Sequence, residues 1–371
     1  MSEKQKTKPQ VLSLFSGCGG LDLGFEQSGY ETIWANDFNE WAAKTFTHNF
    51  GDIMYCGDIE KIDPYIDRSI PDCDIILGGF PCQDFSMIWK RPGLNGERGN
   101  LYKSFLRFID AKKPKAFVAE NVKGLLSANK NKAIETIIKD FESIVPGYLV
   151  KVQLYNFAEY GVPQFRERVL IVGIRKDTGF DFVHPEPTHG LDRIPYITAG
   201  DALKGVEQIV SNNEKMNPKP KTIEMLKLIP EGGNFTDIPQ DHPLYVKGMI
   251  SHVYRRIHRS EPSKTIIAAG GGGTWGYHYP EPRPLTNRER ARLQSFPDDF
   301  HFVGSNTEVR RQIGNAVPPQ GVHALAKSLL PLFAAQYDSV DLYKLSEKLQ
   351  LMTVKDRLKF DTERHRASDA A

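Results

Sequence analysis

The chain has 371 residues, which at about 150 residues per domain suggests two domains. Its 48 Lys and Arg against 46 Asp and Glu leave a net charge of +2, excluding an acidic tail-like protein and a histone-like polycation. Nucleic acid stays open as a partner, because a binding groove needs local rather than global positive charge. Hydrophobic residues at 40% and charged residues at 25% fit a packed globular protein rather than a disordered one. No apolar run approaches the roughly 20 residues of a membrane span, and MSEKQKTKPQ lacks the apolar core of a secretory signal. The expectation is a cytoplasmic protein with no membrane partner. Cys18, Cys56, Cys73 and Cys82 form no C-x-x-C pair and have no His at zinc spacing, so neither a disulfide framework nor a metal site is expected.

Along the chain, 11–15 (VLSLF) reads as a buried strand, followed by a turn at Gly17, Gly19 and Gly20 and a helix over 21–28. A second strand at 32–35 ends in Asn36 and Asp37, a helix covers 41–50, and 57–59 is a tight turn. Strands follow at 74–78, 116–119, 149–155 and 169–174, with helices at 102–110 and 133–143. Strands alternating with helices predict a parallel, doubly wound α/β sheet. After about residue 185 the texture changes to Gly, Pro, Asn, Lys and His, with GGGG at 270–273, and a second, less regular domain is expected. Helical pattern returns at 287–294 and 319–333, and a charged tail runs from about 336, helical at first and then frayed.

Several residues carry chemistry in this frame. The glycine segment lies between strand one and helix one, where backbone approaches a ligand at the carboxyl ends of the strands. Asp37 ends the next strand, a usual place for a carboxylate that accepts ribose hydroxyls. The spacing is G-x-G-G rather than the dinucleotide G-x-G-x-x-G, which suits a mononucleoside cofactor better; a bare structural turn is the alternative. Cys82 follows the strand at 74–78 within a Gly-rich turn, and 86–100 reads as an active-site loop; a buried structural cysteine is the bland alternative. Glu120 ends the strand at 116–119, a natural neighbour for Cys82. A thiolate beside an acid that can donate a proton suits attack on an electron-poor ring, although a Glu beside a helix start looks the same in sequence. Alternation places Gln164, Arg166 and Arg168 on one face, either as site residues or as a solvated cluster.

These segments, in this order, resemble the C5-cytosine DNA methyltransferases, especially the bacterial restriction–modification enzymes. The matching stretches are LFSGCGGLDLGF (14–25), GDI (57–59), GGFPCQDFS (78–86), RGNLY (98–102) and ENVKGL (120–125). YGVPQFRERV (160–169), PLTNRERARLQSFPDDF (284–300) and QIGNAVPP (312–319) complete the set, and the resemblance spans roughly 11–332. It implies a Rossmann-like methyltransferase sheet whose S-adenosylmethionine pocket is lined by Phe15, Gly17, Gly19 and Pro81. It also implies that Asp37 holds the ribose, Phe38 stacks on the adenine, and Asp58 accepts from the adenine amino group beside Ile59. Leu101 would close the pocket and Asn315 would approach the methionine end. Cys82 would be the nucleophile, Glu120 would meet the cytosine N3 and N4 edge, and Arg166 and Arg168 would hold the surroundings of Cys82, the base O2 and a nearby phosphate. Chemistry at a stacked base requires that it be flipped out of the duplex.

The resemblance further implies a catalytic and cofactor-binding domain over 1–188 and a target recognition domain over 189–283. A hinge and return would follow over 284–335, and the tail over 336–371. The stretch 247–264 sets Lys247, Arg255, Arg256, Arg259 and Lys264 against Glu261, with His252, Tyr254 and His258 interleaved. Such residues position a protein on phosphates and read guanine edges, unless they form only a solvated basic face. The DNA-contacting residues expected are Ser86, Gln164, Arg255, Arg256, Arg259 and Thr265, on double-stranded DNA. Asp84 and Ile88 depart from the small residues commoner in the family. A monomer is expected, as is a restriction endonuclease acting on the same sequence. The competing readings are a tRNA cytosine methyltransferase, a decayed DNA-binding regulator and a nicotinamide oxidoreductase; the last lacks the third glycine.

Overall fold

The computed structural model describes residues 8–81, 101–245, 247, 253–268, 276–334 and 340–360. Seven strands form one sheet: β1 (Gln10–Leu14), β2 (Glu31–Asp37), β3 (Met54–Cys56), β4 (Ile75–Gly78), β5 (Ala116–Val122), β6 (Tyr148–Asn156) and β7 (Glu167–Arg175). The spatial order is β3-β2-β1-β4-β5-β7-β6. The first five strands are parallel, as expected, but β7 runs antiparallel to both β5 and β6. The expectation of a wholly parallel sheet is corrected here. No helix separates β6 from β7, only a short 3-10 turn at Phe157–Tyr160, so the chain reverses instead of crossing over.

Strand alternation divides the core between the two faces. On β5, Phe117 and Ala119 face one cluster, while Ala116 and Val118 face the other. The first face is covered by α3 (Leu101–Lys112) and α4 (Lys132–Ser143), the latter through Ile134, Ile137, Ile138 and Phe141 at helical spacing. The second face is covered by α1 (Gly20–Glu26), α9 (His323–Leu329) and α10 (Leu342–Gln350). Helix α2 (Glu40–Phe50) starts where the Asn39 side chain accepts from the Trp41 and Ala42 amides, satisfying two of its orphan donors.

The tail is docked as far as it is described. Leu342 and Leu349 enter the second core, and Arg357 pairs with Glu142 of α4 at 2.8 Å. Between β7 and α9, regular structure is sparse: α5 (Ala199–Leu203), α6 (Pro220–Leu228), α7 (Asn287–Leu293) and α8 (Asn306–Asn315). Two small apolar clusters organise this stretch, one around Phe296, Phe300 and Phe302, the other around Leu226, Phe235 and Tyr277. Among the described residues, no helix is long and apolar enough to cross a membrane.

Candidate active site and cofactor cleft

Two sets of residues gather along the carboxyl edge of the sheet. The first lies at β1, β2 and β3. After Leu14 the chain turns sharply: Phe15 sits at φ 54°, in the left-handed region that a side chain enters only at a cost. Gly17 follows at φ 56°, and a side chain built there would meet nothing within 4 Å. Its amide donates to Asp37 Oδ2 at 2.9 Å, while the Asn39 amide donates to Oδ1 at 2.8 Å. Burial raises the proton affinity of Asp37, and these amides oppose the rise. Asn36 Nδ2 donates to the Tyr55 and Gly57 carbonyls, fixing the turn before Asp58. Asp58 is exposed and caps a short 3-10 turn through the Glu60 amide, with Ile59 buried beneath it. Phe38 stands out from the edge, 73% exposed. The result is an edge with open space at Gly17, a carboxylate beneath it and an exposed aromatic face, which fits a nucleoside-bearing ligand.

The glycines do not share one purpose. A side chain at Gly19 would strike the Phe50 ring, and one at Gly20 would stand 2.3 Å from the Val317 carbonyl oxygen. Gly24 lies equally close to Pro319. These three allow α1 and its loop to pack against neighbours, which gives Gly19 a packing reason besides the ligand-lining role expected of it. Leu101 begins α3, partly buried against the first core, and Asn315 is exposed at the end of α8.

The second set lies at β4, β5 and β7. Glu120 Oε1 pairs with Arg168 Nε at 2.8 Å, and both side chains are largely enclosed. The antiparallel register sets Val122 opposite Arg168 and Glu120 opposite Leu170, so the guanidinium reaches along the ladder to the acid. Burial raises the proton affinity of Glu120, while Arg168 and then Arg166 pull it down. A Cβ on Gly79 would lie 3.4 Å from Glu120 Oε2, and Asn121 Nδ2 donates to the Phe80 carbonyl at 2.9 Å. The acid is thus fixed against the chain segment that leads through exposed Pro81 to position 82. Cys82, Asp84, Ser86 and Ile88 lie outside the described residues, as do His252 and the glycines at 270–273.

Elsewhere the structure moves expected site residues inward. Gln164 and Arg166 precede β7 and are buried, whereas Arg168 lies within it. Arg166 donates to the carbonyls of Ile266 (2.9 Å), Gly314 (2.9 Å) and Ala316 (3.0 Å). Gln164 donates to the Leu293 carbonyl and Gln294 Oε1, and accepts from the Ile266 amide. The expected contacts of Arg166 with base and phosphate, and of Gln164 with DNA, are therefore corrected: their polar atoms tie chain segments together. Arg256 is corrected likewise. It is buried and donates to the carbonyls of Leu226, Ile229, His278 and Tyr279. The Thr265 hydroxyl donates to the Phe165 carbonyl at 2.8 Å. Arg259 stays at the surface, paired with Glu231 at 3.0 Å and lying over the Tyr279 ring. Arg255 is partly buried and lines a cleft together with His258, Glu261, Lys264, Thr265 and Arg290.

Sequence reasoning also missed the interior of α7. Arg288 is fully buried and donates to the Ser211, Pro297 and Phe300 carbonyls. Arg283 forms a two-pronged pair with Glu289, the acid that also closes the capping box of α7 at Thr286. The available signal was composition: a stretch poor in strands and helices leaves many carbonyls that need donors.

The family model of C-5 cytosine-specific DNA methylase matches residues 10–330. The chain belongs to that family. It is by that membership a DNA cytosine-5 methyltransferase, and family and fold imply the use of S-adenosylmethionine. It is 72% identical over 352 residues to the type II methyltransferase M.NgoFVII of Neisseria gonorrhoeae, covering 93% of each chain. It is 43% identical over 349 residues to the type II methyltransferase M.BbvI of Brevibacillus brevis, covering 88% of this chain and 92% of that one. Among solved structures, the S. pombe Dnmt2 methyltransferase superposes with a TM-score of 0.61 at 16% identity, covering 88% of this chain and 99% of its own. That likeness is one of fold.

Proposed function

We propose that this methyltransferase acts on one cytosine within a short duplex sequence as the protective half of a restriction–modification pair. Both relatives named above carry type II titles, which supports that context. In this reading 1–188 is the catalytic and cofactor-binding domain, 189–283 the reader, 284–335 the return into the catalytic domain, and 336–371 a tail. The protein works as a cytoplasmic monomer, and its partner is an endonuclease of the same sequence specificity.

The observation that carries the chemistry is the enclosed Glu120, held by Arg168 beside Gly79, three residues before Cys82 in the chain. Cytosine C5 is too weak a nucleophile to take a methyl group unaided. Addition of the Cys82 thiolate to C6 forms a carbon–sulfur bond and pushes the ring electrons toward N3. Glu120 supports that charge, and its raised proton affinity suits an acid that shares a proton with N3. Arg168 orients the carboxyl group and opposes part of that rise. The ring, now enamine-like, bonds a methyl group through C5 as the donor's methyl–sulfur bond breaks; a base such as water then takes the C5 proton, which expels the thiolate and restores the C5–C6 double bond. S-adenosylmethionine supplies the electrophilic methyl group when bound. Gly17, Asp37, Phe38 and Asp58 would hold it, the open space at Gly17 admitting the ligand, the Asp37 carboxylate accepting ribose hydroxyls, and Phe38 and Asp58 meeting the adenine, with Phe15, Ile59, Pro81, Leu101 and Asn315 as the further candidates. The target base leaves the duplex to reach this edge.

Bisulfite sequencing of unmethylated mixed-sequence DNA, incubated with the protein and S-adenosylmethionine, tests the reading. Protected cytosines within one recurring sequence are expected, with mass spectrometry identifying the mark as 5-methylcytosine. Protection at no sequence, with methyl transfer to RNA instead, would sink it.

A further inference from the structure

Arg166 and Gln164 were expected to touch DNA, and the structure gives their polar atoms another task. Four chain segments meet around them: 163–166, 263–266, 293–294 and 313–316. Arg166 binds one carbonyl on 266 and two on 314 and 316. Gln294, also buried, extends the knot by donating to the Ile313 carbonyl at 2.6 Å and the Ala316 carbonyl at 3.5 Å. Segments 163–165 and 263–265 are zipped further, with Phe165 donating to the Ser263 carbonyl and Ser263 to the Pro163 carbonyl.

Each side of the knot leads to a different ligand. The 263–266 segment continues directly from the basic stretch and lines the cleft with Arg255 and Lys264. The 312–317 segment touches the glycine loop of the cofactor cleft: Cys18 Sγ donates to the Gln312 carbonyl, and Gly20 packs under the Val317 carbonyl. Asn315 projects from that same segment, and β7 carries Arg168 to Glu120 two residues beyond Arg166. The guanidinium thus holds together the DNA-facing cleft, the cofactor loop and the catalytic edge while buried away from solvent.

We propose that Arg166, with Gln164 and Gln294 and through the Thr265 hydroxyl that ties the 263–266 segment to Phe165, is a positioning knot that couples DNA seated on the 255–267 segment to the cofactor cleft, with Arg166 itself touching neither ligand. The proposal rests on the methyltransferase reading above. A buried cation satisfied by main-chain carbonyls loses much if one carbonyl moves alone, so the segments it grips shift together. Linkage then requires each ligand to tighten the other by the same factor.

The test measures the affinity of the full-length protein for S-adenosylhomocysteine by calorimetry, alone and with saturating unmethylated mixed-sequence duplex. The wild-type protein should bind it about tenfold more tightly with DNA, within the usual range of coupling between sites. In Arg166→Lys and Thr265→Val that ratio should fall below about threefold, while the affinity for S-adenosylhomocysteine alone stays within about threefold of wild type. Thr265→Val removes one hydroxyl and keeps its shape, so it remains informative if circular dichroism shows Arg166→Lys unfolded. A wild-type ratio in the folded variants overturns the proposal. So does a salt slope of DNA binding lowered by about one in Arg166→Gln, which removes the charge and would mark a lost phosphate contact. Wild-type protein that binds both ligands without coupling overturns it too, whereas binding neither ligand overturns the methyltransferase reading instead.

Discussion

The edge at Glu120 and the stretch 255–290 both gather charged side chains in enclosed places, and they use them in opposite ways. At the edge, two regular strands satisfy each other's backbone, so Glu120 and Arg168 are left to meet one another beside an open segment. In 255–290 the backbone has few regular partners, and arginines fill the gap: Arg256 and Arg288 between them serve seven carbonyls. Where secondary structure completes the main chain, charge is available for chemistry. Where it does not, charge becomes scaffold, and a basic sequence overstates what remains for a ligand.

The sharpest attempt to break this contrast is at the edge. Cys82→Ser should lower methyl transfer by at least about 10³-fold while leaving DNA retention in a gel-shift assay intact. Glu120→Gln keeps the shape but not the acid, and single-turnover rates should fall by about 10²–10⁴-fold. If Glu120→Gln turns over at the wild-type rate, the edge is scaffold as well. Arg256→Ala probes the other side: it strands four buried carbonyls and should cost about 2–4 kcal/mol in chemical denaturation. The slope of DNA affinity against salt should meanwhile stay unchanged, because no phosphate contact is lost. A shallower slope at unchanged stability would return Arg256 to the DNA surface.

Asp22 offers a third kind of buried charge. It lies wholly inside, on α1 against β1 and β2, and neither carboxylate oxygen has a hydrogen-bond partner among the described residues. Burial lifts its proton affinity from 3.8 to about 7. A raised carboxyl group contributes its full stability below the unfolded value near 3.8 and loses it as pH climbs through 7. Asp22→Asn cannot ionise, so it should melt a few degrees higher than the parent at pH 8 and gain nothing at pH 4, read by thermal denaturation across that range. An advantage that is the same at both pH values would show that Asp22 is not the titrating group. The smallest effect is expected in the glycine loop. Gly20→Ala should cost about 1–3 kcal/mol through collision with the Val317 carbonyl. Gly17→Ala carries only left-handed strain of about 1–2 kcal/mol, and should instead weaken S-adenosylhomocysteine binding in calorimetry.

The parallel strands and their helices were legible in the sequence because alternation and helical spacing are local. The antiparallel return of β7 was not, since antiparallel and parallel neighbours have similar apolar strings and differ only in the connection. Among the candidate residues, Asp37 and Glu120 were readable from their places at strand ends. Gln164, Arg166 and Arg256 were misread because their fate depends on carbonyls more than 20 residues away in the chain. Gly19 and Gly17 stand two residues apart and look alike as letters, yet one faces a phenyl ring and the other open space.

One feature of the cofactor loop bears on how the molecule comes into being. Cys18 meets Gln312 across 294 positions of chain, and Tyr30 bonds the Ala326 carbonyl across 296. A ribosome delivers the glycine loop first and its clasp nearly last. For most of synthesis α1 has no α9 to lie against, leaving Leu21 and Phe25 in need of shelter. A chain released before about residue 330 would lack that clasp, and α1 would be left without the contacts that hold its loop.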